Sequence, residues 1–358
     1  MRRYKRKKLK KLTGIISSFI FLFSSLFLPY TVLKGEEKAE IYEEDVFKEL
    51  TYEKETPPLK EEIILPEEEA SAPSVTFPEE AEKILPEVPL KFRKPCIEAD
   101  LSYKAHGGFL HTHGISLKNA TQFSNEEISS LLDTPMKMRF KKTKSPQFLI
   151  YHTHATESFN SADREFYDSR YNWRSRDNTL NMVSVGNFAL NELEKADIPY
   201  IHDTSQHDYP SYNGSYKNSF NSVSKILSEN AEIKVALDLH RDAIQKVSGE
   251  ITKPTLTLSD GTKVAQIMII ANCDDGSGLI PNWRENFRFA KEVYLALEKI
   301  CPGIARPILL SHRKYNQQLS TGALLIEVGG HANTLEEAQR AGKVLGLALK
   351  EIYENFQE

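Results

Sequence analysis

Residues 148–157 read FLIYHTHATE, residues 235–243 read VALDLHRDA and residues 323–333 read ALLIEVGGHAN. Each is a short apolar run that ends in groups able to bind a metal or move a proton. Runs of this length, rich in Leu, Ile and Val, predict buried strands at Gln147–Tyr151, Val235–Leu239 and Ala323–Val328. Pro199–His202 is expected to be a fourth. Between the strands apolar residues recur at helical spacing. Met182, Val185, Ala189, Leu193 and Ala196 share one face over 181–196, and 216–227 reads as helix. Phe287, Ala290, Tyr294 and Leu297 do the same over 284–300. The last helix opens with a capping box from Thr334 to Glu337 and turns Ala338, Ala341, Leu345, Ala348 and Ile352 inward. Thr255–Leu258 and Val264–Ala271 flank a Ser-Asp-Gly-Thr turn and predict a hairpin. Strands alternating with helices predict an α/β domain with a twisted, mostly parallel sheet flanked by helices.

In open α/β sheets, ligands bind outside the carboxyl ends of the strands. The first strand end offers His152, His154 and Glu157, and the second His240, Arg241 and Asp242. The third offers Glu327 and, after two glycines, His331. A catalytic zinc takes three ligands from imidazole nitrogen and carboxylate oxygen and keeps one position open. A further carboxylate must accept the proton of the attacking water, and Glu327, on a separate strand, is the candidate. Asp242 or another neighbour would orient His240. The His-Thr-His triplet alone is a weak signal, because a second copy at His111–His113 follows no apolar strand. Tyr209, Tyr212 and Trp283 are candidate sugar or peptide platforms, although core packing is the commoner fate of such rings. There is no HExxH helix and no GxSxG elbow. The three cysteines, Cys96, Cys273 and Cys301, form no CxxC pair, so a cysteine zinc site is not expected.

The chain has 358 residues and a net charge of -4, but the charge is segregated. Residues 1–12 are almost wholly basic and predict a cytoplasmic tail. Residues 13–33 carry no charge over 21 positions, long enough at about 1.5 Å per residue to span a bilayer core of about 30 Å. They lack a clean cleavage site after them, so an uncleaved anchor is expected rather than a signal peptide. Residues 34–90 predict a disordered, extended linker: 18 acidic side chains oppose 5 lysines over 35–90, with frequent prolines. The catalytic domain is expected over 91–358, outside the cytoplasmic membrane. With no basic domain, nucleic acid is a poor candidate partner.

Besides FLIYHTHATESF (148–159), the diagnostic segments are HDYPSYNGSY (207–216), ALDLHRDA (236–243), PNWRENFRFA (281–290) and YNQQLSTGALLIEVGG (315–330). Through them the chain resembles the stage II sporulation protein P family over roughly residues 108–352. The resemblance implies an amidase-like, zinc-dependent N-acetylmuramoyl-L-alanine amidase acting on peptidoglycan during sporulation engulfment, from a single-pass position in the cell membrane. It implies stage II sporulation proteins D and M as partners. It assigns the first metal histidine to His152, the second to His240 and the catalytic carboxylate to Glu327. The third ligand is expected at Glu157, with His154, Glu165 and Asp177 as alternatives. His154, Arg241, Asp242 and His331 are then substrate or supporting groups. His331 stands where the resemblance leads one to expect Asn, as a neutral change or as an added acid–base group. The rival readings are a zinc endopeptidase that cuts cross-links and a non-catalytic wall-binding scaffold.

Overall fold

A computed structural model describes residues 75–77, 87–103 and 108–358. The basic tail, the apolar anchor and most of the acidic stretch lie outside the described residues. Among the described residues no helix is long and apolar enough to cross a membrane.

The strands in chain order are β1 (Arg93–Ala99), β2 (Leu110–Thr112), β3 (Ile115–Ala120), β4 (Phe148–Tyr151), β5 (Phe166–Asp168) and β6 (Tyr200–His202). They continue with β7 (Val235–Asp242), β8 (Ile251–Thr257), β9 (Lys263–Ala265), β10 (Ile267–Asn272), β11 (Ile308–Ser311) and β12 (Gly322–Gly330). The helices are α1 (Asn125–Leu131), α2 (Met182–Glu194), α3 (Ser215–Glu229), α4 (Trp283–Ile300) and α5 (Leu335–Asn355). Eight strands form one sheet in the order β2-β3-β11-β10-β12-β7-β4-β6, and four form a smaller one, β5-β1-β8-β9. Five of the seven pairings in the large sheet are parallel; β2–β3 and β10–β12 are antiparallel. The molecule is thus an α/β domain with a mixed, mostly parallel sheet. The four strands predicted from apolar runs make up one contiguous parallel half, β12-β7-β4-β6.

The predicted hairpin forms only in part. β8 and β9 pair antiparallel across the Ser-Asp-Gly-Thr turn. At Gln266 the chain leaves the small sheet, and β10 joins the large one. The wholly buried Gln266 marks this switch: its amide donates to Asp100 and to the Gly303 carbonyl, and its oxygen accepts from Leu101 N. One apolar run therefore serves two sheets, a break that periodicity alone does not reveal.

Side chains alternate across a sheet, and here the two faces differ. Val235, Leu237 and Leu239 join Phe148, Ile150, Leu324 and Ile326 in the main core, with the apolar sides of α2, α4 and α5. The opposite face holds a small cluster: Leu149, Tyr151, Ala236 and Ala323, covered by Val223 and Ile226 of α3. Helices α2 and α5 cross at close range. A Cβ at Gly342 would stand 2.6 Å from the Val185 carbonyl oxygen, and one at Gly346 would collide with that of Ala189. Of the acidic stretch, Val75 is buried in the main core and the Thr76 carbonyl accepts from Lys343 Nζ of α5 at 2.8 Å. Those residues differ from the expected solvated spacer, because an apolar Val finds an apolar helix flank.

Candidate active site

β4 ends at Tyr151 and the chain turns at residues 153–156, and this turn parts two histidines that a continuing strand would have placed on one face. His152 turns toward α2. Its Nδ1–H donates to the Leu239 carbonyl at 3.1 Å, which leaves Nε2 to accept from His202 Nε2 at 2.9 Å. A Cβ on Gly186 of α2 would stand 2.9 Å from both of those Nε2 atoms. Both ring nitrogens of His152 are therefore engaged, and burial followed by the neighbouring His202 holds its pKa well below the usual range.

His154 turns to the other face. Its ring meets His240 edge-on at 5.1 Å and lies flat on Tyr212 at 4.4 Å. Burial, then the nearby His240 and Arg174, keep it neutral. Its Nδ1 is buried with no hydrogen-bond partner. The structure thus brings His154, and not His152, to His240 and Glu157. Glu157 Oε2 lies 3.7 Å from His240 Nδ1 and accepts from Arg241 N at 3.3 Å.

Asp238, His240 and Glu327 share the α3-covered face, because Glu327 of β12 pairs in register with His240 of β7 and residues two apart on a strand point the same way. Burial opposes a charge on His240, but Asp238, Glu157 and Glu327 outweigh it and lift its pKa to about 10. Burial and then Asp242 push the Glu327 carboxyl up to about 8, against the pull of His240. Glu327 Oε2 is buried with no partner. After Glu327 the strand bulges. Gly329 makes the bulge at φ +67, where a Cβ would stand 2.7 Å from Asn333 Oδ1.

The expected support for His240 comes from a different residue. Asp242 is bound to Arg306 Nη1 at 2.8 Å and accepts from Ala243 N. Asp238 is the carboxylate beside His240, with Oδ1 3.0 Å from Nε2, although bent away from a straight hydrogen bond. It also accepts from Thr153 N at 2.8 Å and Thr153 Oγ1 at 2.6 Å. One buried carboxylate therefore braces His240 and the segment that carries His154. Residue order held this clue, since Asp238 is two positions before His240 on a strand. Thr153 Oγ1 also meets Ser219 Oγ at 2.7 Å, and Asn316 Nδ2 donates to Ser219 Oγ at 3.0 Å, tying α3 to the site floor.

Arg241 is buried and braces the loop opposite: Nε donates to the Ser158 carbonyl and Nη2 to that of Trp173. It does not pair with the Asp242 carboxylate. His331 is buried edge-on to Trp173 at 4.8 Å, its Nδ1 unpartnered. Burial and then Arg241 hold it down to about 3. Asp177 and Glu165 lie outside the group. Asp177 is exposed and caps Thr179, while exposed Glu165 offers only its carbonyl to Cys96 N. Trp283 is buried against Phe123 and is no platform. Arg174 and Asp208, which the sequence reading passed over, form a 2.8 Å ion pair beside Tyr212.

These groups fit a divalent cation. Two are orphaned polar atoms, His154 Nδ1 and Glu327 Oε2, and orphaned buried polar atoms need a partner. The donor types are imidazole and carboxylate, as zinc prefers. The 3.7 Å between His240 and Glu157 is near the roughly 3.3 Å that separates two ligands held about 2.0 Å from a tetrahedral ion. The three groups have not closed on one point. Among the described residues, no set of three His, Cys, Asp or Glu side chains stands at metal-holding spacing.

The sequence model of a family described as stage II sporulation protein P matches residues 51–350. The chain is 28% identical over 215 residues to the stage II sporulation protein P of Bacillus subtilis (strain 168), covering 57% of this chain and 50% of that protein. It therefore spans about half the length of this relative. Among solved structures, the N-acetylmuramoyl-L-alanine amidase AmiC2 of Nostoc punctiforme is similar at 10% identity and a TM-score of 0.33, covering 58% of this chain and 98% of its own. An N-acetylmuramoyl-L-alanine amidase from Clostridium difficile 630 is similar at 12% identity and 0.33, covering 59% and 98%. Likeness at this level bears on neither activity nor residue roles.

Proposed function

This chain belongs to the stage II sporulation protein P family, and we propose that it is a zinc-dependent hydrolase of peptidoglycan, cleaving the amide between N-acetylmuramic acid and the first L-alanine of the stem peptide. The observation that carries this reading is the convergence of His154, Glu157, His240 and Glu327 on one buried floor, with His154 Nδ1 and Glu327 Oε2 left without partners. His154, Glu157 and His240 would hold the metal. Zinc, when bound, supplies Lewis acidity, polarising a carbonyl and lowering the pKa of water.

The chain's own residues do the rest. The Glu327 carboxylate takes the proton of the attacking water at Oε2 and passes it to the departing alanine nitrogen. Its raised pKa matches this duty, since a group near neutrality both accepts and gives up a proton readily. Asp238 orients His240, as a carboxylate behind a ligand histidine does in many metal sites. Burial of His154 keeps its lone pair available. In the cell this work would fall outside the cytoplasmic membrane, with the uncharged stretch 13–33 as anchor, the acidic stretch as tether and stage II sporulation proteins D and M as partners in engulfment.

Digestion of purified wall with the full chain, followed by end-group analysis, tests the reading. The expected products carry free N-terminal alanine. A chelator should stop their release and added zinc restore it. Glu327→Gln should slow it by about 10²–10⁴-fold with zinc content unchanged. Products with cut cross-links and no new alanine termini would assign endopeptidase activity instead. Full activity in Glu327→Gln would overturn the mechanism.

A further inference from the structure

One wall of the site carries two stacked pairs that the chemistry above leaves unused. Tyr212 lies on the His154 ring with planes 11° apart, and the Arg174 guanidinium lies over Tyr212 at 4.7 Å. Two residues on, Arg176 lies over Tyr209 at 3.9 Å. Tyr209 and Tyr212 are 46% and 38% exposed, so both rungs open to solvent. The inner guanidinium is already balanced. Arg174 Nη1 donates to Asp208 Oδ2 at 2.8 Å, and Thr156 Oγ1 donates to the same oxygen at 2.6 Å. The Arg174 backbone bridges that of Glu157, which fixes this rung to the segment bearing a proposed ligand. Arg176 is exposed and pairs with no carboxylate among the described residues.

A guanidinium resting on a ring keeps its N–H edges free in a set direction, which suits a carboxylate. We propose that Arg176 on Tyr209, extending the Arg174–Tyr212 rung away from His154, is a subsite for a free carboxylate of the peptide stem and makes the chain prefer stems whose carboxylates are not amidated. The proposal rests on the peptidoglycan reading of the adjoining floor. Peptide stems carry carboxylates along the chain that leaves the scissile amide, and a ladder leaving His154 offers such a chain first a flat ring and then an unbalanced cation.

The test compares purified wall with the same wall after carbodiimide-driven amidation of its carboxylates. Binding is read by co-sedimentation with the full-length Glu327→Gln chain, and hydrolysis by release of alanine termini with the active chain. The expected result is weaker binding and a higher KM on amidated wall, with kcat little changed. Arg176→Gln should lose about fivefold in affinity for untreated wall, the upper end for an exposed charge pair, and nothing for amidated wall. Its melting temperature should match that of the parent. If Arg176→Gln still discriminates between the walls as the parent does, the subsite is refuted. If discrimination in binding disappears with Arg176 but the active chain releases no alanine termini, the subsite stands and the amidase reading falls.

Discussion

The two sides of the sheet at the end of β4 hold histidines two positions apart in sequence and unlike in chemistry. On the α2 side, His152 sits among satisfied partners: a carbonyl on one nitrogen, His202 on the other, and Gly186 pressed close. On the α3 side, His154 has an unpartnered nitrogen and faces His240, with Glu157 and Glu327 beyond. The first arrangement is complete as it stands and works as structure. The second is a set of buried donors whose hydrogen-bonding capacity is not met. Saturated hydrogen bonding marks a residue that holds the fold together, and unmet polar capacity marks one kept for a ligand.

The sharpest way to break this comparison is to delete each histidine in turn. His154→Ala should lower zinc affinity by more than the roughly 10–100-fold typical of losing an outer-shell partner, while leaving the unfolding midpoint of the metal-free chain nearly unchanged. His152→Ala should keep its zinc and destabilise the fold by about 2–4 kcal/mol, through an unmet Leu239 carbonyl and a cavity. Metal stoichiometry and denaturant unfolding on the two variants settle it, and exchanged phenotypes would reverse the assignment of the two faces.

Asp238→Asn comes next. It keeps the shape but removes the charge that braces His240 and Thr153. Zinc affinity, measured by competition with a chelator, should fall about 10–100-fold; an unchanged value would leave Asp238 a purely structural group. Gly186→Ala probes the opposite face. The added methyl would press on His152 and His202, destabilising the fold by about 1–3 kcal/mol with zinc content unaltered.

A last effect is on acid stability. The pKa of His202 lies at about 4 because of burial, and that of His331 at about 3 because of burial and Arg241, against an ordinary 6.5. Both are neutral in folded and unfolded chains above pH 6.5. Below it the unfolded chain gains protons that the folded chain refuses, so stability falls as the pH drops from 6.5 toward 4. Each histidine contributes a slope of about 1.4 kcal/mol per pH unit. His331→Gln should flatten this limb by one such slope in urea titrations between pH 6 and 4. An unchanged limb would mean that His331 is protonated in the fold.

Much of this was legible in residue order. The apolar runs around Ile150, Leu237 and Ile326 announced buried strands, and the strand ends displayed the reactive groups. The capping box at Thr334 and Glu337 forms as its spacing predicts. The strands β1, β2, β3, β5 and β11 were less legible. β2 and β5 are three residues long and β1 is mostly exposed, so none presents a sustained apolar pattern, and β11 is buried but four residues long. Arg174 and Asp208 were missed because neither lies at an apolar strand end. Their ion pair spans 34 positions of chain and exists only once the loops meet.

The sequence by itself determined that Asp238 and His240 share a face, because residues two apart on an extended chain point the same way whatever the strand packs against. The same rule would put His152 and His154 on one face, and only the turn at residues 153–156 parts them. Which face became the site was decided only in three dimensions. That choice depends on where α2 and α3 lie, since α2 brings Gly186, Asn187 and the main core against one side, while α3 leaves the other lined with Tyr216, Ser219 and few apolar groups. A histidine is the same residue in both places; the neighbours it meets decide whether its nitrogens are satisfied or left without partners.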